Sequence, residues 1–105
     1  MTNKEHSMNA PLYVTAKFRI KPDQLAAAQA LMQNLITQTL QNEPHCISYN
    51  YLKNSALDNE FTSLELWKDA ASEAQHWQTP HLIEALQQLP ALLESAPEIT
   101  KWQRI

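Results

Sequence analysis

Three side chains in the second half of the chain have the chemistry to move protons: Glu65, His76 and His81. Glu65 falls in the stretch Glu60 to Trp67 (EFTSLELW) and shares its parity with Phe61, Ser63 and Trp67, because strand side chains alternate with a period of two. Burial of that parity strips water from the carboxyl, raises its pKa and moves it toward the working range of a general base. The other reading is a structural carboxylate paired with Lys17, Arg19, Lys101 or Arg104, on a neighbouring strand or across a subunit interface. An unperturbed imidazole already titrates near neutral pH, so His76 serves either a pocket or its own helix. His81 follows Pro80 at a helix start, where it serves either a ligand or the exposed helix end. Phe61, Trp67, Trp77, Tyr49 and Tyr51 supply aromatic bulk for a cavity wall, although large aromatics such as Trp67 and Trp77 more often build a core. The Tyr49 hydroxyl either reaches a ligand oxygen or ties two strands together.

Other chemistries are set aside by residue type and spacing. His76 and His81 are five apart with a proline between them, which does not put both on one helical face, so no metal site is expected. The single cysteine, Cys46, excludes an intrachain disulfide and a Cys-rich cage, and reads as a buried small hydrophobe. The chain has no glycine, which excludes the phosphate loops and dinucleotide turns that need backbone without side chains. Turns needing positive φ are then expected at Asn54 or at Asp58-Asn59. A net charge of −3 gives no reason to expect nucleic acid or an anionic membrane as partner. No stretch approaches the ~20 apolar residues of a membrane span, and none resembles a secretory signal, so a cytoplasmic location is expected.

The elements that must position these residues follow in order. Met1 to Pro11 is polar and lacks periodicity, a flexible arm in which His6 has no evident role, and residues 12–105 form one domain. Leu12 to Ile20 alternates cleanly and predicts the first strand. Pro22 and Asp23 start a helix that runs to about Gln41, with Leu25, Ala28, Met32, Leu35 and Thr39 on one face. Asn42-Glu43-Pro44 ends it, His45 to Leu52 predicts a second strand and Glu60 to Trp67 a third. A kinked or two-part helix follows, broken at Thr79-Pro80, then a proline-flanked linker over Pro90 to Pro97 with a turn of helix at Leu92 to Glu94. Glu98 to Ile105 predicts a fourth strand. The order strand, helix, strand, strand, helix, strand is the ferredoxin-like α+β split motif, a four-stranded antiparallel sheet with both helices on one face. The third strand carries apolar residues on both parities, so the second face calls for a cover, and a second copy of the chain is the expected one.

The Lys21-Pro22 turn, Glu43-Pro44-His45-Cys46 leading to Tyr49, and Phe61 with Glu65-Leu66-Trp67, Ala70, His76 and Thr79-Pro80-His81 resemble the antibiotic biosynthesis monooxygenase-like family of dimeric α+β barrels, which includes quinol monooxygenase-like proteins. The resemblance runs from Leu12 onward, with one departure: His45 stands where members usually carry glycine. It implies a homodimer and cofactor-independent monooxygenation of a small aromatic, a quinol or polyphenol, with O2 as co-substrate. On that reading Glu65, His76 and His81 handle protons, Trp67, Phe61, Tyr49, Tyr51 and Trp77 hold the ring, and no cofactor is needed. Haem-degrading members pair a first-strand asparagine with a tryptophan and a helix histidine. Leu12 to Ile20 has no asparagine, which counts against haem. An isomerase of a small phosphorylated compound is a further family activity, disfavoured by the lack of a basic cluster. A non-catalytic barrel that binds a small apolar molecule or serves as an interaction module is the alternative from outside enzymology.

Overall fold

The computed structural model describes residues 10–105; residues 1–9 of the arm expected at the N-terminus, His6 among them, lie outside the described residues. Four strands and three helices alternate along the chain: β1 (Leu12–Arg19), α1 (Leu25–Asn42), β2 (Cys46–Lys53), β3 (Glu60–Trp67), α2 (Ala70–His76), α3 (Pro80–Gln88) and β4 (Glu98–Trp102). The sheet is antiparallel throughout in the order β2-β3-β1-β4, the ferredoxin-like α+β arrangement that the element order predicts. The expected two-part helix is two separate helices, and the turn of helix expected at Leu92 to Glu94 forms earlier, as a 3-10 turn over Leu89–Ala91. Leu93 instead bridges to Ile20, which ties the linker to the end of β1. No helix among the described residues is long and apolar enough to cross a membrane.

One sheet face carries the helices. Leu12 opposes Trp67, Val14 opposes Glu65 and Phe18 opposes Phe61, and all six are buried on that side. The helix α1 lays Ala28, Met32, Leu35 and Thr39 against it at spacings of four, three and four, the stripe of an amphipathic helix. Two apolar clusters result, one around Trp67, Leu35, Tyr49 and Leu82, the other around Phe18, Ile20, Met32 and Phe61. The opposite face holds Leu52, Leu64 and Trp102, exposed at 48%, 40% and 53%. Both parities of β3 are therefore apolar while only one is covered within the chain.

The β2–β3 connection corrects one expectation. Among the described residues none has positive φ, at Asn54, Asp58, Asn59 or elsewhere. A longer loop makes the turn without it: Asn54 Oδ1 accepts from the Ala56 N–H at 2.8 Å, and Asn54 Nδ2 donates to Glu60 Oε2 at 2.6 Å. The side chain closes the turn and relieves the backbone of the need for a left-handed residue.

Candidate functional site

Two proline-marked breaks bring the polar groups of the site together. At the end of α1, Glu43 precedes Pro44, whose ring disfavours helical geometry in the residue before it, and Glu43 is extended at φ −119 and ψ 91. Its N–H still closes on the Thr39 carbonyl at 2.9 Å, but its carboxylate is buried beneath α2 and α3. Between those helices, Thr79 Oγ1 donates to the His76 carbonyl at 2.7 Å and accepts from the Leu82 N–H at 3.4 Å, while Pro80 opens α3 without an amide hydrogen to place. The chain therefore bends between His76 and His81, and their rings come to 6.0 Å centroid to centroid. Both converge on one oxygen: Glu43 Oε2 lies 2.6 Å from His76 Nδ1 and 2.7 Å from His81 Nε2.

The spacing argument that kept these histidines apart is thereby corrected. They do not share a helical face, yet the break separating them folds the second helix back so that they meet.

A partly enclosed cavity of about 90 Å³ lies between the sheet and helices α1 and α3. Its walls are apolar, with Val14, Met32, Leu35 and Leu82 among them, and its polar edge is Tyr49, Tyr51, Glu65 and His76, with Trp77 beside them. A single water occupies roughly 10–15 Å³ on the same measure, so the space suits a guest of about one ring. The Glu65 carboxylate accepts from Ser63 Oγ at 2.7 Å and from Trp67 Nε1 at 3.0 Å, and pairs with none of Lys17, Arg19, Lys101 or Arg104 within the chain. Those cations are engaged elsewhere or lie at the exposed C-terminus: Lys17 with Glu98, Arg19 with Glu60, Lys101 with Glu73. Burial pushes the Glu65 carboxyl above its ordinary range, and the hydrogen bonds from Ser63 and Trp67 partly offset that push. Burial likewise drives the Tyr49 phenol well above its usual value and that of Tyr51 up to about 12, so both remain hydroxyl donors. Their oxygens are 3.2 Å apart, and Tyr49 Oη stands 3.5 Å from His76 Nε2. In the tautomer that gives Nδ1–H to Glu43, His76 turns Nε2 toward Tyr49 and the cavity as an acceptor.

The remaining candidates are placed differently. Trp67 is fully buried and packs against His76 at 4.7 Å between ring centroids, behind the cavity wall. Phe61 belongs to the neighbouring cluster with Phe18, and His81 faces an outer depression beside Thr79 and Glu84. None of these three lines the cavity. Cys46 is buried, its thiol pushed up to about 12 chiefly by that burial, as expected of a small hydrophobe. Sequence reasoning missed Glu43, although a glutamate immediately before a helix-ending proline was the available signal. It also missed Glu73, buried on α2, which accepts from Trp77 Nε1 at 2.6 Å and Lys101 Nζ at 3.0 Å and so pins β4 to the site. A haem does not fit: the cavity holds about one ring, and His76 directs Nδ1 into a buried carboxylate.

Comparison with known proteins gives the same architecture. Residues 11–88 match the model of the antibiotic biosynthesis monooxygenase family. An uncharacterised protein of Synechocystis is 35% identical over 89 residues, covering 85% of this chain; the chain spans 60% of that relative's length. Rv0793 of Mycobacterium tuberculosis, named as a candidate monooxygenase, is 31% identical over 93 residues, covering 89% of this chain and 90% of its own. Its solved structure superposes with a TM-score of 0.85 at 26% identity over 91% of this chain and 96% of that one. A conserved protein of Methanosarcina mazei gives 0.87 at 29% identity, covering 96% and 99%. With three quarters of its length matched by one family's pattern and its whole fold shared with these relatives, the chain belongs to the antibiotic biosynthesis monooxygenase family.

Proposed function

We propose that the protein is a cofactor-independent monooxygenase that oxidises a small monocyclic quinol or related phenol with O2. The observation that carries this reading is that Glu65 and His76, one a buried carboxyl and the other an imidazole, both border a single apolar cavity of one-ring size. The substrate hydroxyl gives its proton to His76 Nε2 while Glu43 holds Nδ1–H and stabilises the imidazolium that forms. The resulting anion, kept from water by the cavity walls, passes one electron to O2, and the two radicals combine at a ring carbon as a hydroperoxide. Return of the proton and loss of water leave one oxygen atom as a ring carbonyl. The balance closes without an outside reductant: a quinol plus O2 gives a hydroxyquinone plus water, all electrons coming from the ring. Glu65, with its carboxyl fixed by Ser63 and Trp67, orients the ring hydroxyl remote from His76.

Homodimerisation through the open sheet face belongs to the same proposal. Leu52, Leu64 and Trp102 stand on that face in solvent, and a second copy covers them. Oxygen uptake with a panel of monocyclic quinols tests the activity. Turnover that falls in Glu43→Gln and His76→Ala supports it; saturable quinol binding with no oxygen consumed instead identifies a non-catalytic binder.

A further inference from the structure

The cluster of Glu43, His76 and His81 supplies two imidazole nitrogens and one carboxylate oxygen from three separate elements, with all three donor atoms within 4.8 Å of one another. The side chains are nine-tenths or more buried, at 10%, 3% and 9% exposure, so they are held by packing and not by solvent. Their setting is that of a site with an approach. His76 faces the inner cavity, while His81 opens to an outer depression lined also by Asn34, Gln38, Thr79 and Glu84. The cluster thus occupies the wall between an apolar chamber and a polar groove. Charge also suits it: the cluster carries one carboxylate, Glu43, and the Lys101 ammonium is engaged by Glu73.

We infer that Glu43, His76 and His81 form a binding site for a first-row divalent cation, with zinc the best match, reached from the outer groove. Bonds of about 2.0–2.2 Å to nitrogen and oxygen place the donors of a tetrahedral site roughly 3.3 Å apart. The carboxylate oxygen, now 2.6 and 2.7 Å from the two nitrogens, withdraws by about half an ångström as the ion enters. The Glu43 side chain rotates to supply this, and the two imidazoles turn toward the ion, all three donor atoms starting within 4.8 Å of one another. Two imidazoles with one carboxylate favour zinc, cobalt or nickel and disfavour magnesium and calcium, which prefer all-oxygen sites. Three protein donors leave a fourth position open to water. Binding moves the His76 proton: the cation takes Nδ1, so the ring hydrogen sits on Nε2, which turns from acceptor to donor toward Tyr49. Cation binding and the acceptor state that the oxidation reading requires are therefore mutually exclusive, although the site itself stands independently of that reading.

Cobalt(II) serves as the spectroscopic probe, titrated into the full chain. The expected result is a saturable visible absorption of tetrahedral intensity at one equivalent per chain. Affinity should drop in His81→Ala and Glu43→Gln by more than the roughly 10–100-fold typical of losing an outer hydrogen-bond partner, and should hold in the His6→Ala, His45→Ala control. Absent absorption, or absorption that survives His81→Ala, overturns the site. Nitrogen-15 spectra of the wild-type imidazoles with and without zinc give a second reading that needs no variant to fold. Zinc should shift His76 Nδ1 and His81 Nε2 and show a hydrogen on His76 Nε2; shifts confined to His6 and His45 overturn the proposal. Magnesium in the same titrations should give no response at equal concentration.

Discussion

At the scale of single residues, Glu43 links the most groups, because one buried carboxylate oxygen serves two imidazoles. Glu43→Gln keeps the shape but removes the charge that steadies an imidazolium, so on the proposed oxidation it should lower kcat by roughly 10²-fold or more with little change in KM, as loss of general-base support does. Steady-state oxygen uptake measures it. Glu65 gives a prediction about stability. Burial raises its folded-state pKa above the unfolded one, so the native state binds the proton more tightly and this group's contribution to stability falls as pH rises through that window. Glu65→Gln cannot titrate and its amide can still accept from Trp67. The stability of the variant relative to the parent should therefore increase as pH rises from the ordinary glutamate range through the raised one in urea denaturation; a trend of the opposite sign means that the carboxylate is stabilised where it sits. These roles were partly legible beforehand. The parity of β3 put Glu65 with Trp67, but nothing in the spacing showed that Glu43 would meet His76 and His81, which lie 33 and 38 residues further along the chain.

At the scale of elements, the joint between α2 and α3 does the positioning. Thr79 accepts from the Leu82 N–H and donates to the His76 carbonyl, so Thr79→Ala removes the N-cap of α3 and the clasp at the end of α2 together. The expected loss is about 1–2 kcal/mol in chemical denaturation, near the upper part of the range for capping residues. Asp69 caps α2 through Ser72, whose N–H and hydroxyl hold its carboxyl below the usual range. Its contribution is present above the ordinary aspartate pKa and is lost as pH falls through the lowered one, so the helix should loosen in acid in the parent and show no such dependence in Asp69→Asn. Element existence was readable because strand and helix periods differ and prolines mark the breaks. The edges moved where tertiary contacts intervened: the end of β1 is drawn into the Ile20–Leu93 bridge, and β4 stops at Trp102, three residues before the chain ends.

At the scale of the whole molecule, the sheet has one face filled by its own helices and one bearing Leu52, Leu64 and Trp102 in the open. With a second copy as the cover, Leu64→Glu places an unpaired charge at the centre of the contact and should shift sedimentation from dimer to monomer at micromolar concentration. A parent chain that sediments as monomer contradicts the dimer. The sequence alone settled the alternation of β1 and β3, the amphipathic stripe of α1, the break at Thr79-Pro80 and hence the ferredoxin-like order, because these depend on neighbours within a few residues along the chain. It also settled that no glycine-based nucleotide loop exists, since that is a matter of residue type. Only the tertiary structure decided that Trp67 stands behind the cavity and not in it, that Glu65 bonds to Ser63 and Trp67 and not to a cation, and that Glu43 joins His76 to His81. Those outcomes depend on which long-range surfaces come together and how much water each contact expels, and such quantities have no period for a sequence to display.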